Sequence, residues 1–151
     1  MKVIDIFKSE KTMFFLAFII LIVMGYGGKF IYSRSILQKG AVVEAVIYNV
    51  RIGRKGMMLY DYKYVFDHKN CSETSRDPSN NARCNDTIMI VVSAKNNERS
   101  QIVRLNKKQE VTLSSEHPRY VIVNNMSSNE KQSLEDRIMA DLKKRYKLKE
   151  E

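Results

Sequence analysis

Residues 13–28, MFFLAFIILIVMGYGG, carry no charged side chain, and this run constrains the chain more than anything else in it. Taken from Thr12 through Tyr32 it is interrupted only by Lys29. At about 1.5 Å per residue such a helix spans about 30 Å, the thickness of a bilayer's hydrocarbon layer. Lys29 sits where a long cationic side chain reaches the headgroups, and Tyr26 and Tyr32 suit the interfacial belt. A soluble domain this small seldom hides a helix that is apolar on every face. A cleaved signal peptide is the rival reading, with Gly25 and Gly27 at the small-residue spacing a signal peptidase accepts. The run is longer than a usual signal core, and Tyr26 and Lys29 crowd that site, so the expectation is an uncleaved signal anchor.

Which way the anchor points is nearly a tie by charge. Lys2, Lys8 and Lys11 precede the span, and Lys29, Arg34 and Lys39 follow it. A span this near the start inserts with its short tail, residues 1–11, inside. The expected location is therefore a bacterial inner membrane, single-pass, with the N-terminus cytoplasmic and the C-terminal domain periplasmic.

The only two cysteines, Cys71 and Cys84, close a polar stretch, CSETSRDPSNNARC. In an oxidising compartment they would form a staple worth about 3 kcal/mol by chain entropy. Two free thiols are the alternative. Zinc fails on ligand count, because the only histidines, His68 and His117, show no paired spacing. A redox pair would be spaced C-x-x-C, which is absent. A Cys71 and His68 dyad lacks further support. No metal and no cofactor is expected.

Past a connector at residues 33–40 the apolar period changes. AVVEAVIYNVRI at 41–52 and MMLYDYKYVFD at 57–67 alternate, and Tyr60, Tyr62, Tyr64 and Phe66 form one wholly aromatic face of the second run. Gly53-Arg54-Lys55-Gly56 lies between them, with glycines able to take the positive φ of a hairpin. This predicts a long β-hairpin over 41–67. The aromatic row is expected in the core, the alternative being a stacking platform for single-stranded nucleic acid. Residues 67–86 read as a polar loop. Further strands are predicted at 87–94, 99–105, 110–113 and 119–124, with turns at Lys95 to Asn97 and Asn106 to Lys108 and a break at Pro118. About six short strands imply a small, mainly antiparallel barrel or sandwich over 41–125. The fold class is therefore α+β.

Three segments, GAVVEAVI at 40–47, YDYKYVF at 60–66 and HPRYVIV at 117–123, carry a resemblance. In them the chain resembles a family of short single-pass bacterial proteins, frequent in Bacteroidetes, in which a membrane helix precedes a small β domain. The likeness covers roughly residues 12–124. It departs at 67–86, where the family pattern has a short polar turn. The family has no assigned activity, so the resemblance implies architecture and source and carries over no functional residue.

Residues 127–149 read as a terminal amphipathic helix. Ser127 and Glu130 form a capping box, and Leu134, Ile138, Leu142 and Tyr146 make a single apolar stripe. Lys143, Lys144, Arg145, Lys147 and Lys149 complement the helix dipole. Such a stripe serves its own β domain or a partner helix. The basic end could instead rest on anionic lipid.

A formal net charge of +9 without a concentrated patch argues against nucleic acid. No phosphate loop, nucleophile elbow or zinc-protease motif appears, and no enzyme is expected. The expected role is a membrane-anchored protein-interaction module, an accessory subunit of an envelope complex or an immunity-type binder. Its partner-binding residues are expected among Arg54, Lys55, Arg76, Arg83, Leu134, Ile138, Leu142 and Tyr146. The alternatives are a structural subunit oligomerising through Gly25, Gly27 and Gly28 of the span, and a lipid-surface module facing the cytoplasm.

Overall fold

The computed structural model describes residues 10–77, 81–94, 96–114 and 119–148. Lys2, Lys8, Lys95, His117, Pro118 and Lys149, to which the sequence reading gave roles, lie outside these. The element order is α1 (Glu10–Leu37), β1 (Gly40–Ile52), β2 (Met58–Phe66), β3 (Lys69–Asp77), β4 (Thr87–Ser93), β5 (Asn96–Ile102), β6 (Arg104–Leu105), β7 (Val111–Thr112), β8 (Arg119–Tyr120) and α2 (Ser128–Arg145). The chain divides between Tyr32 and Ser33 into two compact units. The fold is α+β: an apolar N-terminal helix, a curled antiparallel sheet and a C-terminal helix.

The first unit is most of α1. Its apolar residues face outward on every side: Phe14, Leu21 and Ile31 are 78%, 68% and 68% exposed. By length and composition, Thr12–Leu37 could cross a membrane.

In the second unit the residues expected to be a connector are not one. Residues 33–37 continue α1, and Ile36 and Leu37 are core residues of the β domain. Gly40 starts β1 against this helix end. A Cβ there would collide with the Ile36 carbonyl oxygen and meet the Val92 carbonyl oxygen, so the close approach needs glycine.

The main sheet has the order β3-β2-β1-β4-β5, antiparallel throughout. Paired residues share a face, which sorts its side chains into two layers. On one face Ala45 and Ile47 stand with Tyr60, Tyr62, Tyr64, Ile88, Ile90 and Val92. The aromatic row of β2 is thus core, with Tyr60, Tyr62 and Tyr64 at 0%, 2% and 4% exposure. On the other face Val42, Met89 and Val91 pack with Val103, Val111, Leu113 and Val123, with Ile138 and Leu142 of α2 and with its C-cap residue Tyr146. A short sheet ordered β7-β6-β8 joins this second layer. The run expected as a strand over 119–124 pairs only at Arg119–Tyr120 and through an isolated bridge from Ile122 to Ile88.

Within the stretch 67–86, expected to be a loop throughout, Lys69–Asp77 is a strand, β3, paired with β2 from Phe66↔Lys69 to Met58↔Asp77, whereas residues 81–86 carry no strand. The inward residues of β3 are polar, and this hid it from a reading based on apolar alternation. The sheet curls until Glu73 of β3 meets Ser100 of β5. The Glu73 carboxylate accepts from the Ser100 backbone N–H at 3.0 Å, the Ser100 hydroxyl at 2.6 Å and the Tyr62 hydroxyl at 2.9 Å. Arg104, 4% exposed, lies over the Tyr120 ring and donates to the Ile102 carbonyl.

α2 begins as its sequence predicts. The Ser127 side chain accepts from the Glu130 N–H, and the Glu130 carboxylate accepts from the Ser127 N–H at 2.8 Å. Lys131 pairs with Glu44 of β1 at 2.7 Å. The α2 stripe is covered by its own β domain, because the β1–β4 face is itself apolar and faces it. Ile138 and Leu142 are 1% and 0% exposed. Burial of each contributes about 1.5–3 kcal/mol.

Candidate protein-binding surface

The expected binding residues do not converge on one place. Ile138, Leu142 and Tyr146 are spent on the domain's own core, with Leu134 packed against them, and so offer no surface to a partner. Cys71 and Cys84 are both free thiols. Cys71 lies on β3 opposite Tyr64, whereas the Cys84 thiol donates to the Tyr48 carbonyl of β1 at 3.2 Å. Strands β2 and β1 therefore stand between the two cysteines, at roughly 4.8 Å per strand step, and the expected staple is not formed.

Arg54, Lys55 and Arg76 are brought to one end of the sheet. The β1–β2 connection is a 3-10 turn, Arg54–Gly56, and the positive φ falls on Lys55 (62°) and Gly56 (72°), not on Gly53. Arg54 and Lys55 are exposed there. Register then does what sequence distance conceals: Arg51 faces Leu59, and Leu59 faces Arg76. The three share one face, so Arg76 flanks the turn although it lies far along the chain. Arg51, although exposed, is engaged by Asp61. Its guanidinium donates to both Asp61 carboxylate oxygens at 3.1 Å, alongside Asn49 at 2.8 Å and Thr74 at 2.6 Å. The Arg51 hydrogen bond, with that of Thr74, holds the Asp61 carboxyl below its usual range against the opposing effect of burial. Among the described residues none pairs by charge with Arg54, Lys55 or Arg76. Ile52 and Met57 border the same turn at 76% and 37% exposure.

Arg83 is exposed but sits elsewhere. It lies in the 83–86 turn beside Ile47 and Tyr48, about four residues, or roughly 13 Å, short of the tip. Tyr26, Lys29 and Tyr32, the expected interface residues, are exposed on α1. Ile52 and Met57 were missed by sequence reasoning. The available signal was two large apolar residues bracketing a Gly-Arg-Lys-Gly turn, where a solvated turn needs none.

Elsewhere an open groove of about 720 Å³ is lined by Val42, Val46, Lys63, Val65, Cys71 and Glu135, among others. Burial, reinforced by Glu44, raises the Glu135 carboxyl. Lys63 in the lining and Lys131 on Glu44 balance the two carboxylates, so the groove selects no sign of charge. Inside the sheet, burial and the neighbouring Glu73 push the Tyr62 and Tyr64 phenols far up, which keeps them neutral hydrogen-bonding groups. Among the described residues no group of three His, Cys, Asp or Glu could hold a metal ion. No family model, no curated protein and no solved structure matches the chain.

Proposed function

We propose that this chain is a single-pass membrane protein of the short Bacteroidetes type, whose β domain, an incompletely closed barrel, serves as a protein-interaction module of an envelope complex. The observation that carries the reading is α1, apolar and outward-facing on every side from Met13 through Met24, apart from half-exposed Leu16. Such a helix is stable where lipid replaces water around it. Binding is favoured over catalysis because buried Asp61 and half-buried Glu73 have their carboxylate oxygens taken up by partners within the domain. An acid or base for chemistry needs an oxygen turned toward a substrate.

The proposal puts the domain on the periplasmic side, and Cys84 makes this testable. Its thiol is exposed, so a membrane-impermeant maleimide labels it on intact spheroplasts if the domain is outside. Labelling only after permeabilisation would reverse the orientation and favour a module on the cytoplasmic lipid surface. Recovery of the whole chain in the carbonate-soluble fraction would remove the membrane reading altogether.

A further inference from the structure

The five-stranded sheet is one strand short of a closed barrel, and we infer that its seam takes up an extended segment of a partner protein as the missing strand. The inference rests on reading the domain as a binding module. Every neighbouring pair in the order β3-β2-β1-β4-β5 is antiparallel, so β3 and β5 both run with β1. Curled together they face each other in the same direction, and no main-chain ladder joins them. An all-antiparallel barrel closes only on an even number of strands. A further strand running opposite to β3 and β5 would be antiparallel to both.

The main-chain groups for it are in place. Asp67 and His68 have φ of 51° and 58°, a two-residue turn that makes Phe66 and Lys69 a hydrogen-bonded pair. Counting in twos from that pair, Asn70, Ser72, Thr74 and Arg76 turn their N–H and C=O groups away from β2 and into the seam. Across the seam the Ser100 N–H of β5 meets the Glu73 carboxylate at 3.0 Å, so a side chain stands where a strand's carbonyl would. The seal is polar: the same carboxylate accepts from the Ser100 and Tyr62 hydroxyls, and Arg104 donates to the Ser75 hydroxyl at 3.4 Å. Hydrogen bonds to side chains can be exchanged for bonds to an added strand, which an apolar seal would not permit. Two strand spacings are about 9.6 Å, and β3 and β5 come within 8 Å, so occupation spreads the seam and turns Glu73 out. A second copy is a poor donor, because its described strands are already paired on at least one side. The occupant is therefore an extended segment of another protein, with small residues inward beside Tyr62 and Ser100 and polar ones outward beside Ser72 and Thr74.

The test uses the full chain in nanodiscs and a fluorescein-labelled peptide of about seven residues alternating threonine and serine, read by anisotropy. We expect saturable binding, and its absence would overturn the inference. N-methylation of either set of alternate amides should weaken binding at least about tenfold, because a strand in the slot bonds on both sides. Weakening by one set alone would mean addition to a single edge and overturn the slot. Ser72→Pro removes an N–H that β2 does not use and should weaken binding about tenfold. Glu73→Ala should strengthen it about threefold, since the carboxylate no longer competes for the Ser100 N–H. Weaker binding by that variant with its fold retained in circular dichroism would count against the slot. Photo-crosslinking in cells separates this inference from the broader reading. A p-benzoylphenylalanine placed at Ser72 should form an adduct with another envelope protein. Adducts at Arg83 and none at Ser72 sink the slot and keep the module, and no adduct at either position sinks both.

Discussion

The two helices differ in how their apolar residues are disposed, and they answer to different surroundings. α1 presents large apolar residues on all sides, and they are exposed; α2 presents one stripe, and it is buried. The difference is angular. A stripe has a direction, so one face of a sheet can cover it, whereas a helix apolar all round can be covered only by something that surrounds it. α2 therefore belongs to the domain's core energetics, and α1 to whatever medium encloses it.

The largest effect should come from charging the span. Ile20→Asp with Leu21→Lys places two charges at the helix centre, at about 2.5–3.5 kcal/mol each on an insertion scale. The chain should move from the membrane pellet to the soluble or degraded fraction, while an unchanged pellet would break the contrast between the helices. Next is Leu142→Ala, at 0% exposure, expected to cost about 2–5 kcal/mol by emptying core volume between α2 and the sheet. Thermal melting followed by circular dichroism measures it. A loss near zero would mean the stripe is not sealed after all, and would return α2 to the list of binding surfaces.

Asp61 tests the domain without touching either helix. Its carboxyl is held below the ordinary value of 3.8, so the stabilisation is fully present above that pH and is lost as pH falls through the lower folded value. Asp61→Asn should cost about 1–3 kcal/mol near neutral pH and flatten the acid limb of a stability profile. An acid limb identical to the parent's would show that Asp61 is not linked to folding. Smallest is the cap: Ser127→Ala should lower stability by about 1 kcal/mol, measurable by urea denaturation, and should leave membrane association untouched.

The legibility of this fold in its sequence followed how much of each element's surroundings was apolar. The hairpin was readable because Ala45, Ile47, Tyr60, Tyr62 and Tyr64 alternate against polar neighbours, and the α2 start because Ser127 and Glu130 satisfy each other locally. β3 was unreadable because its inward Glu73 is matched by Ser100 and Tyr62, partners that no local pattern reveals. The tip was half legible. Arg54 and Lys55 announce themselves in a turn, but Arg76 joins them only through the β2–β3 register. The stripe of α2 was left open between its own domain and a partner because its cover, Val42, Met89 and Val91, comes from two separate strands.

Ile36 and Leu37 belong to the helix by sequence and to the β domain by packing, and this fixes where the chain can be cut. A protease or an engineer severing it just before Ser33 would leave the second hydrophobic layer whole. Severing it at Gln38 or Lys39, where the helix ends, would strip two fully packed side chains from that layer and uncover the core beneath. The end of the helix is thus a part of the domain that cannot be traded for another tether without rebuilding what it seals.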